Sequence, residues 1–119
     1  MTSIVSDTST AEHYSWGENC DGWHLLRESS LSVIQERVPP ACGEAPHLHV
    51  AARQFFYVLS GTATMELEGK TIPFGPSQGL HVPPNTPHRF VNYSQADVVF
   101  LVISSPSTAN DRVNLSVAI

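Results

Sequence analysis

Three histidines and a glutamine carry the clearest chemical signal in this chain. In HLHVAARQFFYVLSG, residues 47–61, His47 and His49 form a His-x-His pair. Residues i and i+2 of a strand project to one side, so the two imidazoles face the same space, as half of a metal site would require. Five positions beyond His49, where a carboxylate ligand would be expected, stands Gln54. A third imidazole, His88, lies in VPPNTPHRFVN, where Pro83, Pro84 and Pro87 restrict the approaching backbone and so fix where His88 points. Imidazoles suit Fe, Zn, Ni and Cu, and a neutral carbonyl oxygen is also compatible with Mn, Fe or Co. Were three histidines and an amide to share a divalent ion, they would leave it its full charge, which favours Lewis-acid chemistry and an anionic substrate. An amide cannot act as a general base, so protons must be moved by other groups.

These residues need strands to hold them. Turn signals recur every eight to twelve residues through HLHV, QFFYVLSG, TATMELEG, KTIPFGP, GLHVPPNTPH, RFVNY and DVVFLVISSP, the pattern of an all-β sandwich or barrel. Nine prolines and seven glycines favour short strands, and no segment has a convincing helical period. Within QFFYVLSG, Gln54, Phe56 and Val58 share one face, while Phe55, Tyr57 and Leu59 share the other. Both faces are apolar, which suits a barrel interior on one side and a subunit contact on the other. LSVIQERV, residues 31–38, stops at Pro39 and Pro40, and its register stays open. Either Val33, Gln35 and Arg37 face inward, making a carboxylate substrate attractive, or Ser32, Ile34, Glu36 and Val38 do, making Glu36 a candidate base.

The stretch from His47 to Gly61 resembles the first cupin motif: a His-x-His pair, a ligand four or five positions on, and a glycine seven beyond it. Pro83, Asn85, His88 and Asn92 resemble the second motif, and residues 41–92 cover both with their connection. The resemblance implies a small single-domain cupin, a double-stranded β-helix or jelly-roll barrel. It implies His47, His49, Gln54 and His88 as ligands of one divalent transition metal (Fe, Mn, Co, Ni or Zn) at the barrel mouth. It also implies a homodimer. Ala41 and Ser77 stand where the family has glycines, and Asn85 replaces a third, as the non-glycine residue that best accepts a positive φ. Gln54 replaces the usual glutamate.

At 119 residues one domain is expected: a leader over 1–12, a cupin barrel over 13–106 and a tail over 107–119, lying across the barrel or swapped. Six Lys+Arg against eleven Asp+Glu argue against nucleic-acid binding. No run of about 18 apolar residues is present and the N-terminus lacks a signal-peptide pattern, so no membrane partner and a cytoplasmic location are expected. Cys20 and Cys42 read as free thiols. Phe56, Val58, Phe90 and Arg37 are the candidate substrate-pocket residues, and the interior reads as apolar with few polar groups inside. His81 should point outward, Asn92 should close a turn, Trp16 and Trp23 should anchor packing, and Asp111 and Arg112 read as solvated tail charges. No catalytic residue is singled out. Three functions follow: a metal-dependent dioxygenase acting on a small organic molecule, a non-oxidative isomerase or lyase of sugar acids, or a metal-dependent small-molecule binding protein.

Overall fold

The structure, a computed structural model, describes residues 4–115. Eleven strands make two antiparallel sheets, and no helix occurs among the described residues. The strands are β1 (Glu12–Trp16), β2 (Cys20–Arg27), β3 (Ser32–Val38), β4 (His47–His49), β5 (Arg53–Ser60), β6 (Ala63–Leu67), β7 (Lys70–Phe74), β8 (Gly79–Val82), β9 (His88–Val91), β10 (Val98–Ser105) and β11 (Arg112–Asn114). One sheet runs β1-β2-β3-β10-β5-β8 and the other β11-β4-β9-β6-β7. This is the all-β architecture expected from the turn spacing, in the jelly-roll form that the cupin resemblance implied.

Alternation of buried and open residues defines the interior. Along β5, Gln54, Phe56 and Val58 are buried while Phe55 and Leu59 are exposed; along β10, Val98, Phe100, Val102 and Ser104 are buried. Both sheets feed one core, in which Phe90 stacks on Phe100 at 4.1 Å and on Phe56 at 6.0 Å, with Phe74 edge-on at 6.4 Å. Offset aromatic packing of this kind adds to the burial of large apolar area. It forms a rigid floor beneath the histidines, since Phe56 lies 6.2 Å from His88.

Two glycines permit close backbone approach. Gly61 turns β5 into β6 at φ +84°, and a Cβ there would lie 2.4 Å from the Asp97 carbonyl oxygen. A Cβ on Gly43 would meet the Phe90 carbonyl oxygen at 2.5 Å. Ala41, Ser77 and Asn85 adopt φ of 64°, 66° and 59°, so all three positions keep the glycine-like conformation without the glycine. For Asn85 this matches the expectation.

The ends of the chain differ in weight. Residues 1–3 and 116–119, parts of the expected leader and tail, lie outside the described residues. Within the expected tail, β11 is a strand of the second sheet, with Arg112, Val113 and Asn114 opposite His49, Leu48 and His47 of β4.

Candidate metal centre and cavity

Short pieces of strand bring the three histidines together. His47 of β4 pairs directly with His88 of β9, and His49 follows on the same face as His47. The connection before β9 is tied to this point, because the Asn85 amide donates to the His49 carbonyl at 2.6 Å. The proline-rich loop therefore hooks the second motif onto the first. One ring nitrogen from each histidine lies within 4.8 Å of the others, and all three side chains are buried. One ion with Zn–N or similar bonds of about 2.1 Å can join such a set after small adjustment.

The surroundings prepare the rings as ligands. Nδ1 of His47 is held by the Ala45 carbonyl at 2.8 Å and Nδ1 of His88 by the Thr86 carbonyl at 2.9 Å. Donating there leaves each Nε2 with its lone pair, the arrangement that orients metal-binding imidazoles. Burial pushes the pKa of His47 and of His49 down to about 4 and lowers that of His88, so the rings are neutral at pH 7. Gln54, 6% exposed, donates Nε2 to Ser104 Oγ at 3.2 Å, which presents Oε1 as the free end of the amide. His49 Nδ1, His88 Nε2 and Gln54 Oε1 are buried without a protein partner. Such atoms are costly unless something satisfies them, so the donor set fits a divalent cation.

Beside this cluster opens a cavity of about 260 Å³, lined by His49, Gln54 and Phe56 together with Tyr14, Trp16, Ile34, Glu36, Glu44, Val102, Ser104, Thr108 and Arg112. Eight of these twelve residues carry polar side chains, Trp16 not counted, so the expectation of an apolar interior is corrected. The reason is register. β3 turns Glu36 inward, and the strands beyond the two motifs bring Tyr14 and Arg112 to the rim.

Arg37 does not reach the cavity. It faces the other side of β3, bound to Asp21 at 2.6 Å and to Asp97 at 3.2 Å. The open choice at 31–38 thus falls to Ser32, Ile34, Glu36 and Val38. Of the expected pocket residues, Phe56 lines the cavity, while Val58 and Phe90 lie deeper in the core. His81 is exposed, as anticipated. Asn92, fully buried, donates Nδ2 to the Val38 and Ala96 carbonyls and accepts from Ser94, which makes it the turn-closing residue expected.

Glu44, Tyr14 and the cavity side of Trp16 escaped the reading of the sequence, whereas Glu36 was one of its two open choices. Glu44 places Oε2 3.7 Å from His47 Nε2 and accepts the Phe90 amide on Oε1 at 3.2 Å. A carboxylate there can add an anionic oxygen to the ligand set. Glu36 accepts the Tyr14 hydroxyl at 2.8 Å, and burial, then the neighbouring Glu44, push its carboxyl up to about 8. Tyr14, Gly22 and Glu36 sit in one row across β1, β2 and β3. The Tyr14 ring fills the space where Gly22 has no side chain, with Cζ 2.2 Å from the position of a Cβ, and so reaches across β2 to Glu36. A glycine within a strand is the signal for such a close approach. Trp16 lines the cavity as well as packing against the core.

Asp111 is misread as a solvated tail charge, whereas Arg112 is exposed as expected and also lines the cavity. The Asp111 carboxylate accepts the amides of Val50 (2.9 Å), Ala51 (3.0 Å) and Ala52 (2.9 Å), clasping β11 to the loop between β4 and β5. Arg112 follows it onto the cavity wall.

Comparison with known proteins gives this arrangement a family. The structure of KdgF from Halomonas sp. is similar with a TM-score of 0.80 at 20% identity, over 89% of this chain and 96% of that one. The polyketide cyclase RemF from Streptomyces resistomycificus is similar with a TM-score of 0.83 at 20% identity, over 99% and 88%. Polyketide synthase CurC of Streptomyces cyaneus is 33% identical over 60 residues, which is 50% of this chain and 39% of that protein. The cupin domain family matches residues 34–104, more than half of the chain and inclusive of all three histidines, and the chain belongs to it.

Proposed function

We propose that this chain is a metal-dependent enzyme of acid–base rather than redox type, acting on a carbonyl or enol group of a small organic molecule. The observation that carries the reading is the Glu36 carboxyl, with a pKa of about 8, hydrogen-bonded to Tyr14 in the cavity that His49 and Gln54 line. A carboxyl of that kind holds its proton at neutral pH and is poised to give it up and take it back. The name of RemF, a polyketide cyclase, agrees with this class, since closing a polyketide ring requires enolisation and proton transfer without net oxidation.

His47, His49, His88 and the Gln54 carbonyl would hold the ion, with Glu44 at the edge of the set. Bound there, it would supply Lewis-acid polarisation of a substrate oxygen. Ser104 keeps the Gln54 amide in one orientation. Tyr14 keeps Glu36 directed along one line and stabilises its anion once the proton has left. Trp16, Tyr14 and Phe56 give the cavity aromatic walls, and a volume of about 260 Å³ suits a small organic molecule.

The test is anaerobic exchange of the acidic C–H protons of 1,3-dicarbonyl compounds in deuterated buffer, followed by NMR on metal-loaded wild type, Glu36→Gln and Tyr14→Phe. Catalysed exchange that falls at least about 100-fold in Glu36→Gln supports the reading. Absence of exchange with any of them, coupled with substrate-dependent oxygen uptake in air, would favour a dioxygenase instead. That second reading has its own support in the three-histidine set beside Phe56. For the assembly, we propose a homodimer through the outer face of β5, where Phe55 is 41% and Leu59 43% exposed; sedimentation at micromolar concentration tests it.

A further inference from the structure

Arg112 is the one arginine on the cavity wall, and like Arg53, which meets only His81 and lies away from the cavity, it has no carboxylate partner among the described residues. Arg27, Arg37 and Arg89 each meet a carboxylate, at 2.6, 2.6 and 3.1 Å. Arg112 lines the cavity beside Glu36 and Glu44, yet no carboxylate among the described residues lies within ion-pair distance of it. Its one side-chain hydrogen bond among the described residues is from Nε to Asn114 Oδ1 at 2.8 Å, which steadies the guanidinium and leaves both terminal nitrogens free.

The backbone that carries it is fixed. Arg112 stands opposite His49 in the β11–β4 pairing. The Asp111 clasp lies immediately before it, and the Leu115 amide donates to the Pro46 carbonyl at 3.0 Å just after it. Arg112 is exposed to solvent, but its strand is tied down on both sides and its side chain lines the cavity. Its charge is felt by Glu36 and by all three histidines. Two free N–H groups in a fixed fork match the two oxygens of a carboxylate.

We propose that Arg112 is the specificity residue of this cavity and that the substrate carries a carboxylate, which the guanidinium holds while the reacting carbon lies deeper, toward Glu36 and the histidines. This rests on the cavity being the substrate site, as proposed above, and it names the substrate class. A role for the C-terminal strand follows: β11 closes the sheet and supplies the recognition group.

The experiment compares binding of formate, acetate and benzoate with that of formamide, acetamide and benzamide, by NMR titration of wild type, Arg112→Gln and Arg112→Lys. Each protein is tested metal-loaded and after stripping with a chelator, with melting temperature and metal content confirming that the variants are intact. Wild type should bind at least one carboxylate about tenfold or more tighter than its amide, equivalent to about 1.4 kcal/mol. Arg112→Gln should lose that preference and Arg112→Lys keep part of it. The preference should persist, weakened, in the stripped protein. If no carboxylate is preferred by wild type, or if the preference is unchanged in Arg112→Gln, the inference is overturned. A preference that survives Arg112→Gln but vanishes on stripping would put the anion on the metal, sinking this inference while leaving the metal centre standing. An Arg112-dependent preference in a protein that holds no metal would do the reverse.

Discussion

Replacing Glu36 with glutamine should make the protein more stable in alkali, and the size of the gain is set by the burial of the carboxyl. Burial, with Glu44 adding to it, moves Glu36 from an ordinary 4.5 to about 8, against the opposing pull of the Tyr14 hydroxyl and Arg112. At about 1.4 kcal/mol per pH unit, that displacement has a ceiling of about 5 kcal/mol. The cavity is open to water and the guanidinium of Arg112 lies on its wall, so an effect of about 2 kcal/mol is the reasonable expectation. The sign follows from proton uptake. Between pH 4.5 and about 8 the folded protein binds the proton that the unfolded chain has lost, so the stability present below 4.5 declines through that window. The amide of the Glu36→Gln variant has nothing to ionise, so this decline is confined to wild type. Urea melts of metal-stripped wild type and Glu36→Gln at pH 5, 7 and 9 measure this directly. The variant should be near wild type at pH 5 and about 2 kcal/mol more stable at pH 9. Tyr14→Phe removes a donor to the charged form and should extend the slope to higher pH. A difference between wild type and Glu36→Gln that is constant from pH 5 to pH 9 would mean that Glu36 is ionised throughout, and the general acid would have to be sought elsewhere.

Other perturbations separate the fold from the site. Gly61→Ala should cost more than about 2 kcal/mol in urea melts, because φ is +84° and the added methyl would lie 2.4 Å from the Asp97 carbonyl oxygen. Ala41→Gly and Ser77→Gly should each stabilise by about 0.5 kcal/mol, since both residues hold a positive φ that glycine adopts without the steric cost of a Cβ. Gln54→Glu should tighten metal binding about tenfold or more in chelator competition, as a carboxylate replaces a neutral oxygen.

Local pattern carried much of this architecture. That His47 and His49 face one space was legible from strand alternation, and that His88 joins them was legible from the likeness to the two cupin motifs. The inward set of β5 was legible from alternation too, as Gln54, Phe56 and Val58 alternate with Phe55, Tyr57 and Leu59. The register of β3 was not, because Arg37 and Glu36 offer equally plausible inward charges, and pairing with β10 and β2 decides between them. Tyr14 and Arg112 were hidden by distance along the chain. One arrives through two successive strand pairings across Gly22, the other through a three-residue strand stitched down by Asp111. Glu44 lies outside the regular strands, where no periodicity marks which way a side chain points.

The central claim is that His47, His49 and His88 bind one ion. Elemental analysis of tag-free protein, purified without added metal or chelator, beside the His88→Ala variant, tests it most directly. About one equivalent of a divalent transition metal in wild type and a loss of most of it in a folded variant is the result predicted. No metal in wild type, even after reconstitution, or equal metal in both proteins, would contradict it.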